Sequence, residues 1–179
     1  MVAGCGKKSA PATNSVRPIT YETYENKEAG YSLEYPSNWA FDRVDHEEKG
    51  VKSSLIVFGP ADMQGTPIGI VQIAIDTMTK SDTLDAYLDR RLKAYQSPVV
   101  ALKHFKLKSR ASSTVAGYSA VEAEWTGSDS GEAKHARDVI IANGDKVLSL
   151  HFVGSQTQWS EHMPDFDHMI KTFKFAEGK

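Results

Sequence analysis

The sequence predicts an α+β protein, a central and mostly antiparallel sheet with helices packed on it. Three observations carry this. Between His104 and Val153 four apolar runs follow one another, parted only by short turn-forming stretches, and strands joined that closely pair antiparallel. Two other segments, 82–96 and 155–172, repeat apolar residues every three or four positions, which is the period of a helix lying on a surface. No stretch approaches the ~20 apolar residues that a membrane-crossing helix needs.

The first half supplies strands and one helix. Tyr31-Ser32-Leu33-Glu34-Tyr35 alternates and stops at Pro36, the pattern of a half-buried strand. Pro36-Ser37-Asn38 has turn chemistry, and Trp39-Ala40-Phe41 resumes extended chain, with Trp39 expected to pack on the core. Asp45 to Ser53 reads as a loop, Ser54 to Phe58 as a short strand ended by Gly59-Pro60, and Ala61 to Pro67 as a second loop. Ile68 to Thr77 is the next strand, with Val71, Ile73 and Ile75 on one face. From Asp82 to Gln96 the period changes: Leu84, Leu88, Leu92 and Tyr95 form one stripe. Asp82 is the expected N-cap, with Asp85 three positions on, and Pro98 ends the run.

The second half predicts four strands, His104 to Ser112, Tyr118 to Thr126, His135 to Ala142 and Lys146 to Val153. Asn143-Gly144 between the last two is a hairpin signal, because a type I′ turn needs positive φ at both central residues. Ser155 to Thr172 places Trp159, Met163, Phe166, Ile170 and Phe173 at helical spacing, with Ser155 and Gln158 as a capping box. Pro164 falls inside, so the expectation is a kinked helix or a turn followed by a helix starting near Pro164. Phe173-Lys174-Phe175 closes as a short strand.

Length and composition fit one domain over residues 19–179, preceded by a tether over residues 1–18. The 40% hydrophobic content suffices for a core, and a net charge of −2 leaves no broad basic field. Nucleic acid is therefore not an expected partner.

The single cysteine, Cys5, stands in Val2-Ala3-Gly4-Cys5. That tetrapeptide is similar to the lipobox of bacterial lipoproteins, where small residues fit the signal peptidase and the thiol takes the diacylglyceryl group. Lys7 to Pro18 is small, polar and proline-bearing, a composition that cannot offset its own ordering entropy and so reads as a flexible tether. The expected location is extracytoplasmic, with the protein held to a bacterial membrane through acylated Cys5. The basic and apolar regions of a secretory signal do not precede Cys5 here, so Met1 is expected to be a trimmed start and the chain as given to be soluble. Beyond Cys5 there is no cysteine, which removes disulfides, thiol nucleophiles and thiolate metal ligands.

Gly30-Tyr31-Ser32-Leu33-Glu34-Tyr35-Pro36-Ser37-Asn38-Trp39 resembles the opening signature of the PsbP-like superfamily. The resemblance continues at Gly117-Tyr118, in Asn143-Gly144-Asp145-Lys146-Val147-Leu148-Ser149-Leu150, and in Ile170-Lys171-Thr172-Phe173-Lys174-Phe175. That group includes a photosynthetic extrinsic subunit and many bacterial lipoproteins. The resemblance implies a sheet sandwiched between helices, an α/β/α arrangement. It implies no photosystem role, since nothing from Cys5 to Pro18 resembles the docking segment of the photosynthetic member.

Candidate chemistry is sparse. His162, Asp165, Asp167 and His168 fall within seven residues; His162, Asp165 and His168 are ligand types that suit zinc or another divalent ion. The spacing is not H-E-x-x-H, and acids after a helix start also serve the helix dipole. Counting outward from Asn143-Gly144, residue 135 opposes 152 and 136 opposes 151, which puts His135 and His151 on opposite faces. Glu122 and Glu124 share a face and read as polar sheet surface. No nucleophile elbow, Walker loop or dinucleotide fingerprint is present. The expected function is a non-catalytic, lipid-anchored envelope module that binds a protein partner without a cofactor. The alternative is a small-ligand or divalent-metal protein with a pocket between sheet and helix; a hydrolase comes last.

Overall fold

The computed structural model describes residues 19–48, 51–79, 82–97, 100 and 102–176. Cys5 and the tether lie outside these residues. The strands are β1 (Tyr21–Asn26), β2 (Tyr31–Pro36), β3 (Trp39–Glu48), β4 (Val51–Pro60), β5 (Val71–Thr77), β6 (Lys103–Val115), β7 (Tyr118–Asp129), β8 (Glu132–Asn143), β9 (Lys146–Gly154) and β10 (Lys174–Phe175). The helices are α1 (Leu84–Tyr95) and α2 (Gln156–Thr172). Two antiparallel sheets result, β1-β2-β10 and β3-β4-β5-β9-β8-β7-β6. β3 to β5 form one meander and β6 to β9 another; α1 carries the chain from β5 to the far edge, and β5 pairs with β9 where they meet.

Alternation along the central strands builds two cores. Val139, Ile141, Leu148, Leu150 and Phe152 point to one side, where Phe166 and Met169 of α2 and Tyr31, Leu33 and Tyr35 of β2 meet them. Ala136, Ile140 and Val147 point the other way, with Val121, Ala123 and Trp125 of β7, and receive Leu88 and Leu92 of α1. The cover over the first side is part helix and part three-stranded sheet. The mostly antiparallel sheet with two helices expected from sequence is present, and beside α2 the three-stranded sheet β1-β2-β10 shares the first side.

α2 runs unbroken through Pro164, with the expected capping box: Gln158 N–H donates to Ser155 Oγ, and Ser155 N–H to Gln158 Oε1. Further along, Glu34 N–H donates to Thr172 Oγ1, so α2 supplies β2 with a hydrogen bond that a strand would otherwise give. Trp39 is buried in the first core, as expected of a packing residue.

Several boundaries differ from the sequence reading. Thr83, not Asp82, caps α1 by accepting from Ala86 N–H, and Asp82 instead pairs with Arg90. Within the stretch read as a loop over Asp45 to Ser53, residues 45–48 belong to β3 and residues 51–53 to β4, with Asp45 opposite Ser54. Polar side chains tolerate an exposed hairpin when they pair across it, and Ser54 Oγ donates to Asp45 Oδ1 at 2.6 Å. The β8–β9 turn is centred on Gly144-Asp145, not Asn143-Gly144, because Asn143 already pairs with Lys146. Gly144 carries the positive φ of +64° at the first central position, the II′ pattern. Positive φ at both central residues occurs instead at Ala116-Gly117 and Ser130-Gly131.

Candidate functional site

Asp138 is the focus of the second core. It lies on β8 between Ala136 and Ile140, on the face that α1 covers, and is fully buried. Opposite it on β9 is His151, whose Nδ1 lies 3.0 Å from Asp138 Oδ1. Arg91 Nε and the Tyr95 hydroxyl, both from α1, donate to the same oxygen at 2.8 and 2.9 Å. Trp125 Nε1 on β7 donates to Oδ2 at 2.9 Å. One carboxylate thus binds three strands to a helix.

A buried carboxylate survives only when its charge is met. Burial alone would raise the Asp138 pKa, but the charges of His151 and Arg91 and the donated hydrogen bonds outweigh it and hold the group below the usual carboxylate range. Tyr95 shows the converse: burial and the Asp138 charge push its hydroxyl above the ordinary phenol value. Asp138 is therefore a fixed anion and Tyr95 a fixed donor.

Against this network opens a cavity of about 500 Å³. Tyr95, Trp125 and His151 line it, and Ile68, Ile70, Leu102 and Val153 supply apolar walls. Lys134 and Gln158 stand at its polar side. It lies against the sheet, with Val100 and Leu102, which follow α1, on its rim. A narrow β4–β5 crossing sets one wall: a Cβ on Gly59 would sit 1.8 Å from the Ile68 carbonyl oxygen.

The residues singled out as metal ligands fall on the opposite side of the large sheet, on α2. His162 Nδ1 approaches Asp165 Oδ2 at 3.6 Å, and His162 meets Trp39 edge-on. His168 turns to Glu34 instead, at 2.8 Å, and stacks on Tyr21. The Tyr21 hydroxyl donates to Asp165 Oδ1. Among the described residues, no three of His, Asp, Glu and Cys gather as a metal-ligand set. These side chains fasten α2 to β1 and β2.

His135 and His151 lie on opposite faces, as read, although the register differs by two: His135 pairs with Gly154 and Asp138 with His151. A slip of two preserves the side-chain face. His135 contacts Glu124 at 2.8 Å and stacks on Trp159 at 3.5 Å. Glu122 accepts from Arg137, which also reaches Asp167. The carboxylates of the expected polar face are thus paired. The Asp138 network escaped the sequence reading because its members stand far apart in the chain. Its one signal was a charged residue at an inward position of an apolar strand.

Three kinds of comparison bear on this fold. The PsbP family model matches residues 19–175. Among solved structures, cyanobacterial PsbP (CyanoP) from Synechocystis sp. PCC 6803 superposes with a TM-score of 0.65 at 17% identity, covering 97% of this chain and 98% of that one. LpqN of Mycobacterium tuberculosis, involved in cell envelope biogenesis, gives 0.54 at 14% identity over 90% and 93%. A Pseudomonas aeruginosa protein of unknown function gives 0.53 at 18% identity over 89% and 99%. At such identities the likeness is one of fold. No curated protein matches the chain.

Proposed function

Because this chain belongs to the PsbP family, we propose that it is a non-catalytic binding or assembly module, lipid-anchored outside the cytoplasmic membrane of a bacterium. The observation that carries the reading is Val2-Ala3-Gly4-Cys5 followed by a polar run, all of it ahead of the family match that starts at residue 19. The likeness to a mycobacterial protein involved in cell envelope biogenesis supports the location.

A protein partner is accommodated best at β3. The other edge strand of the large sheet, β6, carries Lys103, Lys106 and Lys108 and two register shifts, features that discourage strand pairing. β3 runs opposite β4 without a shift and exposes Phe41 and Val44.

Detergent-phase partitioning tests the anchor. Expressed from its own gene with the upstream reading frame, the protein should enter the detergent phase, and its Cys5→Ala form should stay in the aqueous phase. Both forms remaining aqueous would overturn the reading.

A further inference from the structure

The sheet face under α1 carries a second site, independent of the anchor and of any protein partner. Asp138 is an ionised acceptor, so the His151 nitrogen facing it, Nδ1, must carry a proton and donate. That fixes the ring and leaves Nε2 on the far side. His151 is only 5% exposed and lines the cavity, yet Nε2 has no hydrogen-bond partner among the described residues. Nε2 is not among the buried atoms left unpaired, so it stays in contact with solvent at the cavity and is free to meet a ligand.

The surroundings say what could fill the cavity. The walls at Ile68, Ile70, Leu102 and Val153 are aliphatic, and the Tyr95 ring lies beside His151, with ring centres 5.6 Å apart. The cavity volume falls within the ~300–1,000 Å³ usual for small-molecule sites, where apolar walls and few polar groups fix orientation. A hydroxyl suits Nε2 in either protonation state, donating to its lone pair or accepting from its N–H. Asp138 cannot serve the ligand directly, because Arg91, Tyr95, His151 and Trp125 already occupy it. Its role is to position the imidazole.

We infer that this cavity is a binding site for a small, flat, largely apolar molecule bearing one hydroxyl, a phenol or naphthol in class, with the hydroxyl on His151 Nε2 and the rings between Tyr95 and the aliphatic walls. Water lost from the walls on binding supplies most of the affinity, and the hydroxyl supplies orientation.

The experiment uses 2-naphthol and 2-methylnaphthalene, which replaces the hydroxyl with a methyl group of similar size. NMR titration follows the Trp125 indole N–H and the His151 ring protons. 2-Naphthol should shift both saturably and bind at least fivefold more tightly than 2-methylnaphthalene. His151→Phe should remove the preference between the two compounds. Ile68→Trp, at a half-exposed wall position, should block both, and it keeps the test decisive should His151→Phe fail to fold. Absence of saturable shifts, equal affinity for the two compounds, or unchanged binding to Ile68→Trp would each overturn the assignment.

Discussion

Replacing Asp138 by Asn should destabilise the protein by about 3–5 kcal/mol, the range for breaking a buried ion pair from one side. The geometry shows why so small a change costs so much. Asp138 Oδ1 accepts from Arg91, Tyr95 and His151, and Oδ2 accepts from Trp125. An amide has one acceptor, and its better orientation turns the NH2 toward Trp125 Nε1. Two donors then face each other where Trp125 is 1% exposed, a loss of about 1–3 kcal/mol for the unmet indole N–H. Arg91 loses its counter-charge while its own side chain is 23% exposed, which accounts for the rest. Against a total stability of ~5–15 kcal/mol, the melting temperature should fall by on the order of 10 °C. Urea unfolding followed by circular dichroism at pH 7 should show a lower midpoint with an unchanged slope. The folded-state pKa of Asp138 is depressed, so its contribution is present above the unfolded value of ~3.9 and is lost as pH falls through the folded one. The gap between wild type and Asp138→Asn should therefore narrow below about pH 4. A difference under about 1 kcal/mol at pH 7, well short of that range, would refute the argument that this carboxylate ties the helix to the sheet.

Two other substitutions separate packing from backbone geometry. Leu88→Ala should cost about 2–5 kcal/mol in the same unfolding assay, because Leu88 is fully buried beneath α1; a loss below 1 kcal/mol would mean that the helix readily closes the gap. Gly59→Ala should cost about 1–3 kcal/mol, the usual penalty for overpacking. Its Cβ would strike the Ile68 carbonyl, and backbone amide shifts should concentrate at residues 58–60 and 67–70; a neutral variant would show that the crossing has slack.

The parts of the fold legible in the sequence were those governed by local periodicity. Leu88 and Leu92 fall inside because the stripe repeats at helical spacing, and Ser155 caps α2 because Gln158 reciprocates. β1 was missed since Tyr21 and Tyr24 lie an odd number of residues apart and face different neighbours: Tyr21 stacks on His168, while Tyr24 meets Phe41 and Phe58 edge-on. An alternation rule has nothing to detect there. Asp82 has the chemistry of a cap, yet Thr83 takes the position because Asp82 is drawn to Arg90. The cluster His162, Asp165 and His168 suggested ligands because it is dense in sequence. Glu34 and Tyr21, supplied by distant strands, divide it. The network around Asp138 draws one residue each from β7, β8 and β9 and two from α1, a convergence that only the tertiary fold brings about.

The β5–β9 seam carries a kinetic consequence. Each meander is stitched by neighbouring hairpins, whereas Val71 must find Phe152 across the whole intervening chain. Closing so long a loop costs entropy that few contacts repay until most of the ladder has zipped. The second meander can assemble first and offer β9 as a template, with the first joining afterwards. A nascent chain released before β9 emerges would leave β5 as a bare apolar border, the kind of edge on which aggregation begins.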